Sequence, residues 1–167
     1  MSSMGVLDGW KFCARCAASL TWDADHFVCD GCGELYWANS LPGVQGILVR
    51  DGKVLLGKRA HEPRKGWWDL PGGFLGETER PEDGLRREFL EETGIHVEPL
   101  ELMRIDVEPY HHRHVLAVTY VVQGEGEPVA ADDVAELRWF APDEIPEMAF
   151  PAQNDVLRVW VARQEHA

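Results

Sequence analysis

Residues 73–95 read GFLGETERPEDGLRREFLEETGI, and this stretch decides how the rest of the chain is read. Pro81 suits the first position of a helix, where its missing N–H costs nothing. Gly94 suits the stop just past the last turn, so the spacing predicts a helix over 81–93. Leu85 and Phe89 are four apart and form an apolar stripe, which leaves the glutamates mostly on another face. Glu88 and Glu92 are also four apart and stack on one face, with Glu91 beside them. Like charges at that spacing cost stability unless a cation sits among them. A divalent metal with oxygen preference, Mg²⁺ or Mn²⁺, answers that need, usually through a few carboxylates plus substrate phosphates.

Working outward, Leu70-Pro71-Gly72-Gly73 is a turn that glycines negotiate easily. Val44 to Arg50 and Lys53 to Lys58 read as two strands joined by Asp51-Gly52, a strong hairpin signal. Val97 to Val107 and His114 to Val122 are strand-like, and Glu136 to Phe140 is a further short strand. Pro151 to Gln164 reads as a closing helix with Val156, Val159 and Trp160 toward the core. Strands and helices alternate irregularly around a mixed sheet, an α/β arrangement.

The 167 residues leave room for one ordinary domain plus a small appendage. All four cysteines lie in one segment, Cys13-x2-Cys16, twelve residues, then Cys29-x2-Cys32. Two such pairs predict two knuckles closing four thiolates around one tetrahedral Zn²⁺; the alternatives are two disulfides or four unconnected thiols. Four thiolates leave no open position for water, so the zinc is structural. A fragment of this size has too little core to fold alone, so metal binding would stabilise it. The boundary is placed near Leu41-Pro42-Gly43, giving a zinc ribbon over 1–40 and a second domain over 41–167.

A formal charge of −13 argues against broad nucleic-acid backbone binding. In 1–50 the basic residues are Lys11, Arg15 and Arg50, against Asp8, Asp23, Asp25, Asp30 and Glu34. The N-terminus has no long apolar run and no stretch is apolar enough to span a bilayer, so a cytoplasmic, soluble protein without membrane partners is expected.

With these residues in view, the chain resembles the Nudix hydrolase superfamily. Its pattern G-x5-E-x7-R-E-U-x-E-E-x-G-U, with U a bulky aliphatic or similar residue, is matched at every fixed position of 73–95. The resemblance extends through Leu70-Pro71-Gly72-Gly73 upstream and through Glu136-Leu137-Arg138-Trp139-Phe140 with Asp143-Glu144-Ile145-Pro146 downstream, covering roughly 44–160. It implies an α/β/α sandwich around a mixed sheet and hydrolysis of a pyrophosphate bond in a nucleoside diphosphate joined to another moiety X. Some members join a four-cysteine zinc ribbon to this domain, among them NADH and flavin-coenzyme pyrophosphatases. Residues 96–125 lack the S-Q-P-W-P-F-P-x-S signature of the NADH branch. Pro109 lies where ADP-ribose pyrophosphatases often carry a proline.

The resemblance implies roles residue by residue. Glu88 and Glu92 are expected as metal ligands, Glu91 as ligand or as proton acceptor for water, and Gly73 as a carbonyl donor to the metal. Arg87 is expected as an orienting ion pair with Glu79. Glu136 stands where relatives supply a further ligand or base. Substrate-side candidates are Arg59, Trp67, Trp68 and His112, with Arg64 and Lys65 nearby; Trp68 also suits core packing. Alternation puts His112 and His114 on one strand face, although an exposed hairpin edge or a phosphate contact fits that cluster better than a metal. Two departures are local. Arg80 stands where a serine often caps the helix, and Gly84 replaces an alanine at a cost of about 1 kcal/mol. The expected partner is a nucleotide-containing small molecule rather than a nucleic acid, and many relatives are homodimers. The competing reading is a non-catalytic metabolite sensor or interaction module with the ribbon as adaptor, although such domains tend to lose box glutamates and all are present here.

Overall fold

Two buried apolar clusters lie on opposite faces of a mixed sheet. The structure is a computed structural model that describes residues 5–164. The outermost residues of both predicted domains, 1–4 and 165–167, lie outside the described residues. The chain divides into two compact units, one taking in residues up to Ser40 together with Pro109–His114, the other Leu41–Glu108 with the residues from Val115 onward.

In the first unit β1 (Leu20–Asp23), β2 (His26–Cys29) and β3 (Leu35–Trp37) form a small antiparallel sheet. Leu35 and Trp37 are exposed on β3 and Tyr36 between them is half-buried, the alternation of a strand with one covered face.

In the second unit β4 (Leu41–Arg50) and β5 (Lys53–Arg59) flank Asp51 and Gly52, whose φ values of 50° and 73° give the mirror-image turn that matches strand twist. Short strands β6 (Trp68–Asp69) and β7 (Gly72–Phe74) pair with β5 and β4 respectively. Beyond helix α1 (Pro81–Thr93), β8 (His96–Tyr110) and β9 (Arg113–Glu125) form a long hairpin, followed by β10 (Val134–Phe140) and helix α2 (Pro151–Gln164). The sheet order is β10-β5-β4-β9-β8. β4 and β9 run parallel, with Val44 opposite Val118 and Gln45 opposite Thr119.

Val44, Leu48, Leu55, Leu85, Phe89, Ile95, Val97, Tyr120 and Val122 form the core under α1. Ile47, Val54, Leu56, Leu70, Phe140, Met148, Val156, Leu157 and Trp160 form the core under α2. Adjacent residues Ile47 and Leu48 point to opposite clusters, as the two-residue period of a strand covered on both faces requires.

The structure corrects three expectations. Val159 is 41% exposed, while Val156 and Trp160 are buried, because helical spacing brings positions four apart onto one face and turns Val159 out. His112 sits exposed in the turn between β8 and β9, so the exposed hairpin edge preferred for this cluster holds while the strand alternation that paired it with His114 does not; His111 takes a φ of 52° to make that turn. At Gly84 an added methyl would meet Leu75 Cδ2 and come within 3.1 Å of Glu79 Oε2, so the glycine makes room for the loop before the helix and offsets its propensity cost.

Gly46 on β4 packs under the Phe89 ring, and a methyl built on it would lie 2.5 Å from Phe89 Cε2. Gly46→Ala is expected to lower stability by about 1–3 kcal/mol through overpacking. Denaturant melts of the two proteins check this; unchanged midpoints would contradict the packing described.

Candidate active site and cysteine cluster

The start and stop of α1 fix where its glutamates project. Arg80 is the N-cap with no side-chain capping bond; its backbone carbonyl accepts the N–H groups of Asp83 and Gly84, and Pro81 follows. Glu82 and Asp83 in the first turn suit the positive end of the helix dipole. Gly94 ends the helix at φ 70° and donates its N–H to the Leu90 carbonyl. The cap serine that the box often carries is thus replaced by backbone bonding alone.

Arg87 is the hub. Its Nε and Nη2 reach Glu79 Oε1 and Oε2, each at 2.8 Å, in the two-pronged geometry that planar guanidinium favours. Its Nη1 donates to Glu88 Oε1 at 2.7 Å and to Glu91 Oε2 at 3.1 Å, and Nη2 also reaches the Phe74 carbonyl at 3.1 Å. The Arg87–Glu79 pair expected from the sequence is therefore present. Glu79 also accepts the Gly76 N–H at 3.0 Å. Together, Arg87 first and then that N–H hold the Glu79 carboxyl down to about 2.

Glu88 is covered, and burial pushes its carboxyl up against the pull of Arg87. Its two oxygens lie 2.5 Å from where a Cβ on Gly73 would be, so only a glycine lets β7 pass beneath that carboxylate. Gly72 is constrained as well: its φ is 153°, and a methyl there would collide with the Val44 carbonyl. Glu92 is 7% exposed and accepts the Gly72 N–H at 2.9 Å. Burial, helped by the charges of Asp69, Glu88 and Asp133, pushes its carboxyl up to about 8. Glu91 is the outermost of the three, its side chain 47% exposed.

The other expected residues are placed differently. Glu136 on β10 stands opposite Lys58 of β5 and is held by Lys58 at 3.3 Å and Arg138 at 2.7 Å, which keep its carboxyl below the ordinary range. Trp68 packs edge-to-face on Phe140 at 4.8 Å, with Lys58 and Arg138 over its ring; it is a core residue. Trp67 is more exposed, with the Arg64 guanidinium 5.2 Å from its ring centre. Arg59 is committed to Asp69 and to the Pro63 carbonyl. His112 groups with the ribbon's unit.

Sequence reasoning missed a buried polar chain that joins α2 to the sheet. Gln153 of α2 donates to Asp69 and, at 2.7 Å, to Gln45 Oε1; Gln45 donates to Thr119 Oγ1 at 2.8 Å. The hints were three polar residues inside otherwise apolar runs, too common a pattern to single out.

Among the described residues, one group of His, Cys, Asp or Glu brings single ligand atoms all within 4.8 Å of one another: Cys13, Cys16, Cys29 and Cys32. The closest pairs, Cys16–Cys29 at 3.4 Å and Cys13–Cys32 at 3.7 Å, are far too long for disulfides. They approach the separation of about 3.8 Å that zinc–thiolate arms of about 2.3 Å produce in a tetrahedron. Backbone N–H groups of Arg15, Gly31 and Cys32 point at the sulfurs, as in a metal knuckle. The Tyr36 hydroxyl, 3.1 Å from Cys13 Sγ, is the main reason the Cys13 thiol is lowered to about 6. The four sulfurs fit a structural zinc.

A match to the NUDIX domain spans residues 41–160, and the chain belongs to the Nudix family. It is 36% identical to an ADP-ribose pyrophosphatase of Methanocaldococcus jannaschii over 64% of this chain and 65% of that one. It is 29% identical to an NAD-capped RNA hydrolase NudC of Chromobacterium violaceum over 84% of this chain and 54% of that one. The matched region is thus under two thirds of the length of these curated relatives. Among solved structures, that of a NUDIX hydrolase from Nitrosomonas europaea superposes with a TM-score of 0.82 at 28% identity, covering 94% of this chain and 93% of the other. Among the described residues no helix is long and apolar enough to cross a membrane.

Because Glu79 is held well below its ordinary value of 4.5, the folded state gains from its charge above about pH 4.5 and loses that gain as pH falls toward 2. In Arg87→Met the acid limb of the stability-versus-pH curve is expected to flatten over that window, measured by thermal melts from pH 2 to 6.

Proposed function

We propose that this chain is a Nudix-type pyrophosphohydrolase that cleaves the diphosphate of a nucleoside diphosphate linked to another moiety, with ADP-ribose or a dinucleotide coenzyme such as FAD or NADH as the leading candidates. The observation that carries this reading is the glutamate helix locked over Gly73 by Arg87. In this reading residues 41–167 are the hydrolase domain, and residues 1–40 are a ribbon stabilised by zinc on the four cysteines.

The acidic residues fit a divalent cation. Glu92 is buried among Asp69, Glu88 and Asp133 and resists ionising without one. Glu88, Glu92 and the Gly73 carbonyl, with Glu91 or Glu136 joining, would hold it. Bound there, Mg²⁺ or Mn²⁺ offsets the charge of the diphosphate and acidifies a water. The chain's own part is positional. Arg87 fixes Glu88 and Glu91 relative to the β7 loop, and Glu91, the most exposed of the three, would either join the ligands or accept the proton of the attacking water. The new bond joins water oxygen to phosphorus, and the bridging P–O bond breaks to release a nucleoside monophosphate and a phosphorylated X.

The relatives named above act on ADP-ribose and on NAD-capped RNA, and both names fit a diphosphate next to a nucleoside. The net charge of −13 favours the free small molecule over capped RNA.

A panel of ADP-ribose, NADH, FAD and diadenosine polyphosphates with Mg²⁺ or Mn²⁺ is expected to show turnover. Glu91→Gln should lose roughly 10²–10⁴-fold in kcat/KM, the range for a missing proton acceptor, and Glu92→Gln should lose turnover together with divalent-cation affinity. Wild-type rates in both variants, or no turnover across the panel, would reject the assignment. Separately, elemental analysis is expected to find one zinc per chain in the wild type and a loss of zinc in Cys29→Ser.

A further inference from the structure

The buried polar chain ends against the loop that carries Gly72 and Gly73. Gln153 of α2, Gln45 of β4 and Thr119 of β9 are all buried. The acidic end fixes the order of donors along the chain. Asp69 of β6, already paired with Arg59, accepts from Gln153, and a carboxylate that only accepts requires the amide nitrogen to face it. The same nitrogen donates to Gln45 Oε1 at 2.7 Å, which leaves the Gln45 nitrogen to donate to Thr119 Oγ1 at 2.8 Å. Gln153 Oε1 is then left buried with no hydrogen-bond partner among the described residues. An orphaned buried acceptor destabilises the fold, and here it is the consequence of aiming both N–H bonds of one amide at two neighbours.

Those two neighbours hold the loop from both ends. Asp69 immediately precedes Leu70-Pro71-Gly72-Gly73, and Gln45 is the β4 residue opposite Gly72, with Val44 opposite Gly73. Between them the Pro71 carbonyl accepts the Gly46 N–H at 3.0 Å. Gly72 lies so close to β4 that a methyl built on it would come within 2.6 Å of Gln45 Cα. Its N–H in turn donates to Glu92 Oε2 at 2.9 Å, and Gly73 runs beneath the Glu88 carboxylate. A shift of Gln45 or Asp69 is therefore passed straight to the segment under both glutamates. We propose that Gln153 is a positioning residue for the divalent cation: by holding Asp69 and Gln45 with one amide, it sets the height of Gly72 and Gly73 under Glu88 and Glu92. Its own hydrogen bonds go to neither glutamate. The helix on one face of the sheet thus adjusts the ligands carried by the helix on the other. The cation rests on the pyrophosphohydrolase reading, whereas the hold on the loop does not and is measured without it.

The test compares the full-length wild type with two variants. Gln153→Met keeps the side-chain length and removes both donors; Val156→Ala opens a cavity in the same helix and leaves the amide in place. Exchange of the Gly72 amide hydrogen is followed by NMR without added Mg²⁺ or Mn²⁺, and Mn²⁺ affinity by electron paramagnetic resonance of the free ion. In Gln153→Met the Gly72 N–H is expected to exchange at least about tenfold faster, at a temperature where all three proteins stay folded. Its Mn²⁺ affinity should fall about 10–100-fold, the range for losing a group that orients a metal ligand. Val156→Ala is expected to lower the thermal midpoint and leave both readings at wild-type values. Where Gln153→Met does not fold, Thr119→Val serves, because it removes the last acceptor of the chain, and both readings should move in the same direction. Unchanged Gly72 exchange in a folded variant, faster exchange with unchanged Mn²⁺ affinity, or equal effects in Val156→Ala would overturn the proposal. Failure of the pyrophosphohydrolase reading looks different. Wild type would then bind Mn²⁺ no more tightly than Glu92→Gln, which removes the cation from the proposal, while the exchange readings still decide whether Gln153 holds the loop.

Discussion

One guanidinium makes the glutamate-rich helix tenable. Glu79, Glu88 and Glu91 would repel one another if left to water alone, yet Arg87 bonds all three and also the Phe74 carbonyl. It therefore joins three pieces of chain that must stay in register: strand β7, the loop before the helix and the helix itself. A lysine could carry the same charge but not the planar fork that grips both oxygens of Glu79. The glycines answer the same constraint from below. Gly73 lets the strand pass under Glu88, and Gly72 packs its Cα against the backbone of β4. Arginine above and glycine below leave the carboxylates one narrow slot.

The residues Arg87 does not reach are as informative. Glu92 receives only the Gly72 N–H and sits among acids, so its charge is suppressed where Glu79 is fully charged. The two carboxyls thus differ widely in proton affinity because Glu79 faces a cation and Glu92 a dry interior.

How far the sequence revealed this depended on separation along the chain. The boundaries of α1 and α2, the Asp51-Gly52 turn and the knuckle spacing are set by residues within a few positions of one another, and all were legible. The Arg87–Glu79 pair, eight residues apart, was legible through the family pattern. The chain Thr119–Gln45–Gln153–Asp69 was not, since its members meet only once β4, β6, β9 and α2 are assembled, and a lone glutamine in an apolar run has no signature. The exposed hairpin edge at His112 was legible, whereas strand alternation toward His114 did not carry across the turn. Val159 misled because a β-branched residue in a helix reads as core whichever way it faces. Gly84 was taken as a cost until Leu75 was seen to occupy the space of its missing methyl.

The parallel pairing of β4 with β9 bears on the order in which the molecule is made. Its partners, such as Gln45 and Thr119, are separated by more than seventy residues, and the whole of α1 lies between them. During synthesis the hairpin of β4 and β5 and the helix emerge first and rest on local contacts. Tyr120 and Val122, which complete the core around Phe89, arrive only with β9. Long-range parallel pairing closes slowly because the loop entropy is lost before the contacts are gained. A nascent chain halted before residue 115 would therefore display the acidic helix with one flank of its core exposed. That half-built surface is the kind that chaperones hold and that sticks to its neighbours when they do not.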